Sequence, residues 1–235
     1  MPDDVSAPPA AAELVFGARL PLAVRYATAL AGSGMERGLI GPHEMDRLWE
    51  RHLLNCAVIG EVIADGARVV DLGSGAGLPG LPLALARPEL EVTLLEPMAR
   101  RVAWLREVIG ELDLPVRVVR GRAEEPAVRA QLGGVDVVVA RAVAPLARLA
   151  GWALPLLVEG GLMVAMKGRT AAVEVDRDRA AVGALGGRAV RVHECGEGIV
   201  DPLSRVVIVS RDTGPPSRGR DAGRRDPRVP RRRRS

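Results

Sequence analysis

Aromatic residues are nearly absent from this 235-residue chain: Phe16, Tyr26, Trp49, Trp104 and Trp152 are all it has. Leu, Val, Ile and Ala therefore have to fill its core. Cysteine is as scarce. Cys56 and Cys195 lack the number and spacing of a disulfide framework or a zinc site, so no bound metal is expected and reduced thiols in a cytoplasmic protein are the natural reading. Lys167 is the one lysine among 33 basic residues. The start, Met1-Pro2-Asp3-Asp4, is acidic and no long apolar span with signal-peptide flanks follows it, which argues against secretion and against a membrane partner.

Charge is unevenly placed. Residues 213–235 hold nine Arg against two Asp, a net of +7, so the chain's formal +4 leaves about −3 for the remainder. With four prolines, three glycines and no apolar periodicity, this tail is expected to be disordered. It reads equally as a solvated appendage or as a source of salt-sensitive phosphate contacts.

The most informative stretch is Val69-Val70-Asp71-Leu72-Gly73-Ser74-Gly75-Ala76-Gly77-Leu78-Pro79-Gly80, an apolar run that breaks into closely spaced glycines where a helix can begin. Glycines let the backbone turn sharply and approach a ligand, while the N–H groups of the following helical turn face outward. Pro79 suits the first position of that helix. Glu96 ends the next apolar run, about twenty residues on, where a strand-helix-strand unit delivers a carboxylate to ribose hydroxyls. Gly75 to Gly80 alone satisfies a dinucleotide pattern. Asp71 with Gly73, Gly75 and Gly77 instead gives D-x-G-x-G-x-G, in which a carboxylate can bind, directly or through water, the cationic amino group of S-adenosylmethionine but would repel a pyrophosphate.

Residues 11–64 read as helices separated by breaks near Gly32–Gly34 and Gly41-Pro42. Strand-like runs follow at 68–72, 91–96, 115–119, 135–140, 161–166, 188–193 and 204–210, with helical patterns between the first six. The last two runs are joined by a segment too short and broken for a crossover helix, so the final strand is expected to be antiparallel. The fold implied is α/β and Rossmann-like: a seven-stranded, mostly parallel sheet with its last strand reversed, plus an N-terminal helical cap. The expected divisions are a flexible start at 1–10, the cap at 11–66, a cofactor-binding domain at 67–212 and the Arg-rich tail at 213–235.

Several separate stretches carry a family resemblance over roughly residues 20–210. They are Leu48-Trp49-Glu50-Arg51-His52-Leu53-Leu54-Asn55-Cys56, the Asp71–Gly80 loop with its G-L-P-G ending, Glu96 with Arg100-Arg101-Val102, Arg122-Ala123-Glu124-Glu125, Ala140-Arg141-Ala142 and Met166-Lys167-Gly168. The chain resembles the bacterial small-subunit ribosomal RNA methyltransferase G family, also called glucose-inhibited division protein B. That resemblance implies a class I methyltransferase fold and S-adenosylmethionine-dependent methylation of N7 of guanine 527 in 16S rRNA. It implies 16S rRNA or the small ribosomal subunit as partner, and a monomer. The family's R-H-x-x-D-S segment departs here to Asn55-Cys56, and Arg37-Gly38-Leu39-Ile40 stands where many members have Asn-Leu-Thr.

Carried onto this sequence, the family's cofactor positions are Gly73, Leu78, Ala123, Glu124 and Arg141, beside Asp71 and Glu96. All lie near strand C-termini, where open α/β sheets bind ligands. Glu124 is expected near the adenine, although an exposed acid at a helix N-terminus is as common. Arg141 orients the cofactor carboxylate, holds an RNA phosphate or ties the fourth strand to a neighbouring loop. No acid/base residue is nominated, because guanine N7 carries a lone pair and no proton. Lys167 reads as a phosphate contact or, more simply, a solvated strand-end lysine, and His52 as a hydrogen-bonded packing histidine. Two other readings stand beside the methyltransferase: a nicotinamide-dependent oxidoreductase, and a non-catalytic RNA-binding protein on a methyltransferase scaffold.

Overall fold

A computed structural model describes residues 7–212. The Arg-rich tail and the first six residues of the expected flexible start lie outside them. Seven strands form one sheet: β1 (Arg68–Leu72), β2 (Glu91–Glu96), β3 (Arg117–Arg120), β4 (Val135–Arg141), β5 (Leu157–Met166), β6 (Gly187–Cys195) and β7 (Ser204–Arg211). Their order is β3-β2-β1-β4-β5-β7-β6. β1 to β5 pair in parallel, and β7 is inserted antiparallel between β5 and β6. The reversed last strand is thus as the short β6–β7 connection requires. Strand order changes direction between β1 and β4, which opens a crevice beyond their C-terminal ends, after Leu72 and Arg141.

The strands read as continuous apolar runs because both faces are covered. Over one face pack α4 (Gly80–Ala86) and α5 (Ala99–Leu112), with the N-terminal α1 (Ala10–Phe16), α2 (Leu20–Ala29), α3 (Asn55–Ala57) and the helical turns around α3. Over the other pack α6 (Pro126–Leu132), α7 (Leu146–Ala153) and α8 (Ala171–Ala184). Alternation along β1 divides its side chains, Val69 joining the first cluster and Val70 and Leu72 the second. Tyr26, Leu30, Leu48, Trp49, Leu53 and Ile59 share one apolar cluster with Val69, Val92 and Leu94, so residues 11–66 complete a layer over the sheet.

The chain does not break at Gly32–Gly34. It continues through a π turn (Leu30–Gly34), and Gly38, with φ +67°, ends the helical run. Trp104 explains this: its Nε1–H donates to Ser33 Oγ at 2.9 Å, and a Cβ on Gly34 would lie 3.3 Å from its ring. Ala10–Gly34 is long and apolar enough to cross a bilayer by length and composition. In the fold its Ala12, Phe16, Ala23, Tyr26, Ala27 and Leu30 are buried in the core.

Candidate active site

The loop after β1 is left-handed at three glycines, with φ of +74° at Gly73, +57° at Gly75 and +89° at Gly77. The Gly73 and Ser74 N–H groups donate to Leu95 O of β2, at 2.8 and 3.2 Å. Tyr26 reaches in from α2 and donates its hydroxyl to Ala76 O at 2.7 Å. Pro79 sits one residue before the position expected for it, because α4 begins at Gly80. Asp71 Oδ2 accepts the Gly80 N–H at 3.0 Å and so satisfies, from beneath, one of the free N–H groups at the helix start. A Cβ on Gly80 would come within 2.4 Å of Leu94 Cδ2 and 2.8 Å of Asp71 Oδ2. The last glycine of G-L-P-G is therefore the residue that lets helix and strand touch.

Asp71 is fully buried, and its Oδ1 has no hydrogen-bond partner. It lies beneath the loop and lines neither of the clefts described below. Burial pushes its carboxyl up to about 7, helped by the Glu96 charge and opposed by the Gly80 hydrogen bond. The folded pKa stands above the ordinary carboxyl value of 3.8, so the folded chain holds the extra proton between the two. The associated stability is fully present below about pH 4 and lost as pH rises through about 7. Asp71→Asn keeps an acceptor for Gly80 and cannot ionise. Relative to wild type, the cofactor-free variant should gain about 2–3 kcal/mol between pH 5 and pH 8, read from denaturant unfolding at the two values. An unchanged difference would mean that the carboxyl does not titrate in this window.

Glu96 is also buried. Its Oε2 accepts the Gly75 N–H at 2.9 Å, its Oε1 accepts the Met98 N–H at 3.0 Å, and Arg101 Nη1 stands 3.8 Å away. The carboxylate expected to meet ribose hydroxyls thus also holds the glycine loop, and a hydroxyl has to share or replace the Gly75 N–H. Glu96→Ala should weaken S-adenosylmethionine and S-adenosylhomocysteine in parallel by about 1–3 kcal/mol, the scale of hydrogen bonds to a charged group, in titration calorimetry. If both ligands bind unchanged, Glu96 only supports the loop.

Two clefts take lining residues from the end of β4 and the residues just after it. The smaller, about 210 Å³, brings together Gly73, Ala123 and Glu124, with Val143 and Trp152 as apolar walls that suit a flat heteroaromatic ring. A Cβ on Gly73 would lie 3.0 Å from Val143 Cγ2, so the glycine keeps this cleft open. Leu78 is half-buried behind the loop, its N–H bonded to Ser74 O at 3.0 Å, and does not line the cleft. The glycine cradle, apolar walls and buried carboxylate fit an adenosyl group.

The larger cleft, about 690 Å³, is lined by Arg51, Asn55, Arg141, Lys167, Arg169 and Arg205 among others. Arg141 belongs here rather than with Gly73 and Glu124. Its Nη2 donates to His52 Nδ1 at 2.7 Å and its Nη1 to Cys56 Sγ at 3.2 Å, while His52 Nε2 meets Glu44 Oε2 at 2.7 Å. His52 is buried and hydrogen-bonded, as expected, and burial together with the Arg141 charge lowers its pKa to about 4. Lys167 is not a solvated strand-end residue: its Nζ donates to Ala144 O and Glu174 Oε1, both at 2.9 Å, tying the loop after β4 to α8. Arg51 and Asn55 belong to the segment that resembles the family's R-H-x-x-D-S, whereas Arg169 and Arg205 had no signal in the sequence, since the cleft draws them from beyond the β5 end and from β7. Away from both clefts, Glu61, His193 and Cys195 bring ligand-type atoms within 4.8 Å. Gly196 N–H already donates to Glu61 there, and Cys195 is buried, its thiol pushed up to about 12 by burial and by Glu61.

A sheet of this order, with a glycine loop after β1, an acid closing β2 and a ring-sized cleft between them, defines a class I S-adenosylmethionine-dependent methyltransferase fold. Solved structures agree. A methyltransferase from Pyrococcus furiosus superposes with a TM-score of 0.51 at 17% identity, over 66% of this chain and 80% of its own. Aeropyrum pernix fibrillarin, solved with natively bound S-adenosyl-L-methionine, gives 0.51 at 19% identity over 68% and 74%. The family model for rRNA small subunit methyltransferase G matches residues 19–204, and the chain belongs to that family. Ribosomal RNA small subunit methyltransferase G of Mycolicibacterium gilvum is 54% identical, over 94% of this chain and 97% of its own. That of Mycobacterium marinum is 57% identical, over 88% and 92%.

Proposed function

We propose that this protein methylates small-subunit ribosomal RNA with S-adenosylmethionine, at N7 of guanine 527 of 16S rRNA, as a cytoplasmic monomer. The observation that carries the reading is the junction at residues 141–143: Arg141 and Ala142 line the basic cleft, and Val143 lines the ring-sized one beside Gly73. A cofactor site and a phosphate-attracting site are therefore lined by consecutive residues of one segment. S-adenosylmethionine, when bound, supplies an electrophilic methyl group on a sulfonium. Gly73, Ala123 and Glu124 would hold its adenosyl part, with Glu96 sharing hydrogen bonds with the ribose and Leu78 supporting the loop from behind. Asp71 would act through the loop it caps.

The cations of the larger cleft suit an RNA strand. Arg51, Arg141 and Arg169 line it, and among the described residues Arg169 has no ion-pair partner. Since guanine N7 has a lone pair and no proton to lose, these residues have to align and desolvate the base rather than deprotonate it. Residues 11–66 and 67–212 serve as one catalytic unit in this reading, because Arg51 and Asn55 come from the first and Arg141 from the second. The test is transfer of labelled methyl groups to naked 16S rRNA, a partial particle and the whole small subunit. Incorporation mapped to 7-methylguanine at position 527 is expected in at least one. No incorporation into any of them, with S-adenosylmethionine bound, would leave a binding protein on a methyltransferase scaffold.

A further inference from the structure

The end of β4 is tied to the N-terminal segment by an unbroken line of polar contacts. Glu44 Oε2 lies 2.7 Å from His52 Nε2, His52 Nδ1 lies 2.7 Å from Arg141 Nη2, and Arg141 Nη1 reaches Cys56 Sγ at 3.2 Å. An arginine guanidinium only donates, so His52 Nδ1 must present a lone pair. The imidazole proton therefore sits on Nε2 and is donated to the Glu44 carboxylate. His52 is neutral, in one tautomer and one ring orientation, and only 6% exposed. His52 and Cys56 stand four residues apart on one side of a helical segment, and together they take one N–H from each terminal nitrogen of Arg141. The remaining N–H groups are left for the cleft that Arg141 lines.

We infer that Glu44 and His52 are positioning residues: the Glu44 carboxylate fixes the tautomer of His52, and His52 fixes the guanidinium of Arg141 for the RNA side of the site. This rests on the reading that the cleft beside Arg141 receives the RNA. A guanidinium held at one edge offers its other donors in a fixed plane, where a freely rotating side chain would have to be ordered at each binding event. The same device, a carboxylate that selects the tautomer of a histidine acting on a third group, recurs wherever an imidazole must present one nitrogen. The line also makes a cleft group depend on the Pro42–Arg47 turn, the source of Glu44.

Single-turnover methyl transfer and equilibrium S-adenosylmethionine binding test this together. His52→Ala should slow transfer at least tenfold while cofactor affinity stays within twofold. His52→Asn, which offers an amide oxygen near the place of Nδ1, should recover much of the rate. Glu44→Ala should slow transfer, whereas Glu44→Gln, which still accepts the Nε2 proton, should stay near wild type. In an Arg141→Ala background, His52→Ala should add less than a twofold effect, because its partner is gone. A His52→Ala rate within twofold of wild type, or an equal additional fall in the Arg141→Ala background, overturns the proposal. A merely structural role for His52 gives the second result.

NMR of the imidazole nitrogens separates this inference from the functional reading, since it needs no RNA. The charged groups around the ring are Glu44 from the Pro42–Arg47 turn, Arg51 from its own segment and Arg141 from β4. The wild-type spectrum should show a neutral Nε2–H tautomer at pH 6, and Arg141→Ala should move the titration of His52 upward. An Nδ1–H tautomer, or a titration indifferent to Arg141, overturns the inference even in a protein that methylates RNA. A protein with the expected tautomer that transfers no methyl group to any RNA keeps the contact chain but loses its purpose, and the proposal fails with the functional reading.

Discussion

Gly73→Val should abolish S-adenosylmethionine binding and leave the sheet folded. Position 73 has φ +74°, a left-handed conformation that a β-branched residue enters at a cost of roughly 1–2 kcal/mol. Space is short as well, because even a Cβ there would sit 3.0 Å from Val143 Cγ2, and valine adds two methyl groups beyond it. These atoms have nowhere to go but into the 210 Å³ cleft that Gly73 lines. The strand below is held by its parallel ladders to β2 and β4, which the substitution does not touch. Affinity measured by equilibrium dialysis should fall at least a hundredfold, with far-ultraviolet circular dichroism unchanged. Undiminished affinity would remove the glycine loop from the site.

Arg141→Ala should lower single-turnover methyl transfer by about two to three orders of magnitude, the scale on which misplaced reactants lose rate. The loss should far exceed any loss of cofactor affinity, since Arg141 lines the larger cleft and Gly73, Ala123 and Glu124 line the smaller. Arg141→Lys should recover little, because one ammonium cannot reach His52 Nδ1 and Cys56 Sγ together and still face the cleft. A rate within threefold of wild type in Arg141→Ala would make the residue a tie between β4 and the N-terminal segment and nothing more.

What could be read in the sequence is what depends on neighbours along the chain. The loop from Asp71 to Gly80 shows itself because its glycines, its acid and the two strands around it are local features. The parallel sheet shows itself because strands covered on both faces must be apolar throughout. The reading fails where a distant atom decides. Asp71 is bonded to the N–H of Gly80, nine residues on, at the start of α4. β5 starts at Leu157 rather than at 161, through Gly160 with φ +75°; a Cβ on Gly161 would lie 2.9 Å from Asp136 O, so glycines that look like a break permit the pairing. Lys167 looks solvated until α8 brings Glu174 to it. Arg205 joins Arg51, Asn55 and Arg169 because β7 enters between β5 and β6, a topology that no local pattern encodes.

The layer built by the N-terminal helices bears on the order in which the molecule can be assembled. Its last attachments come from the far end of the chain: Ser204 Oγ donates to Asn55 O across 149 residues of sequence, and Gly196 N–H to Glu61 Oε2 across 135. β7, which supplies Val206 and Ile208 to the same apolar cluster, is the final strand described. As the chain is synthesised, Ile59 and its neighbours in Val58–Val62 emerge early, and part of what they pack against, in β6 and β7, is made last. Contacts so distant in sequence form slowly and leave apolar surface uncovered meanwhile. Nascent chains halted before Ser204 should therefore be readily digested by protease and bound by chaperones, and release of the completed chain, rather than emergence of its first helices, should mark the onset of protection.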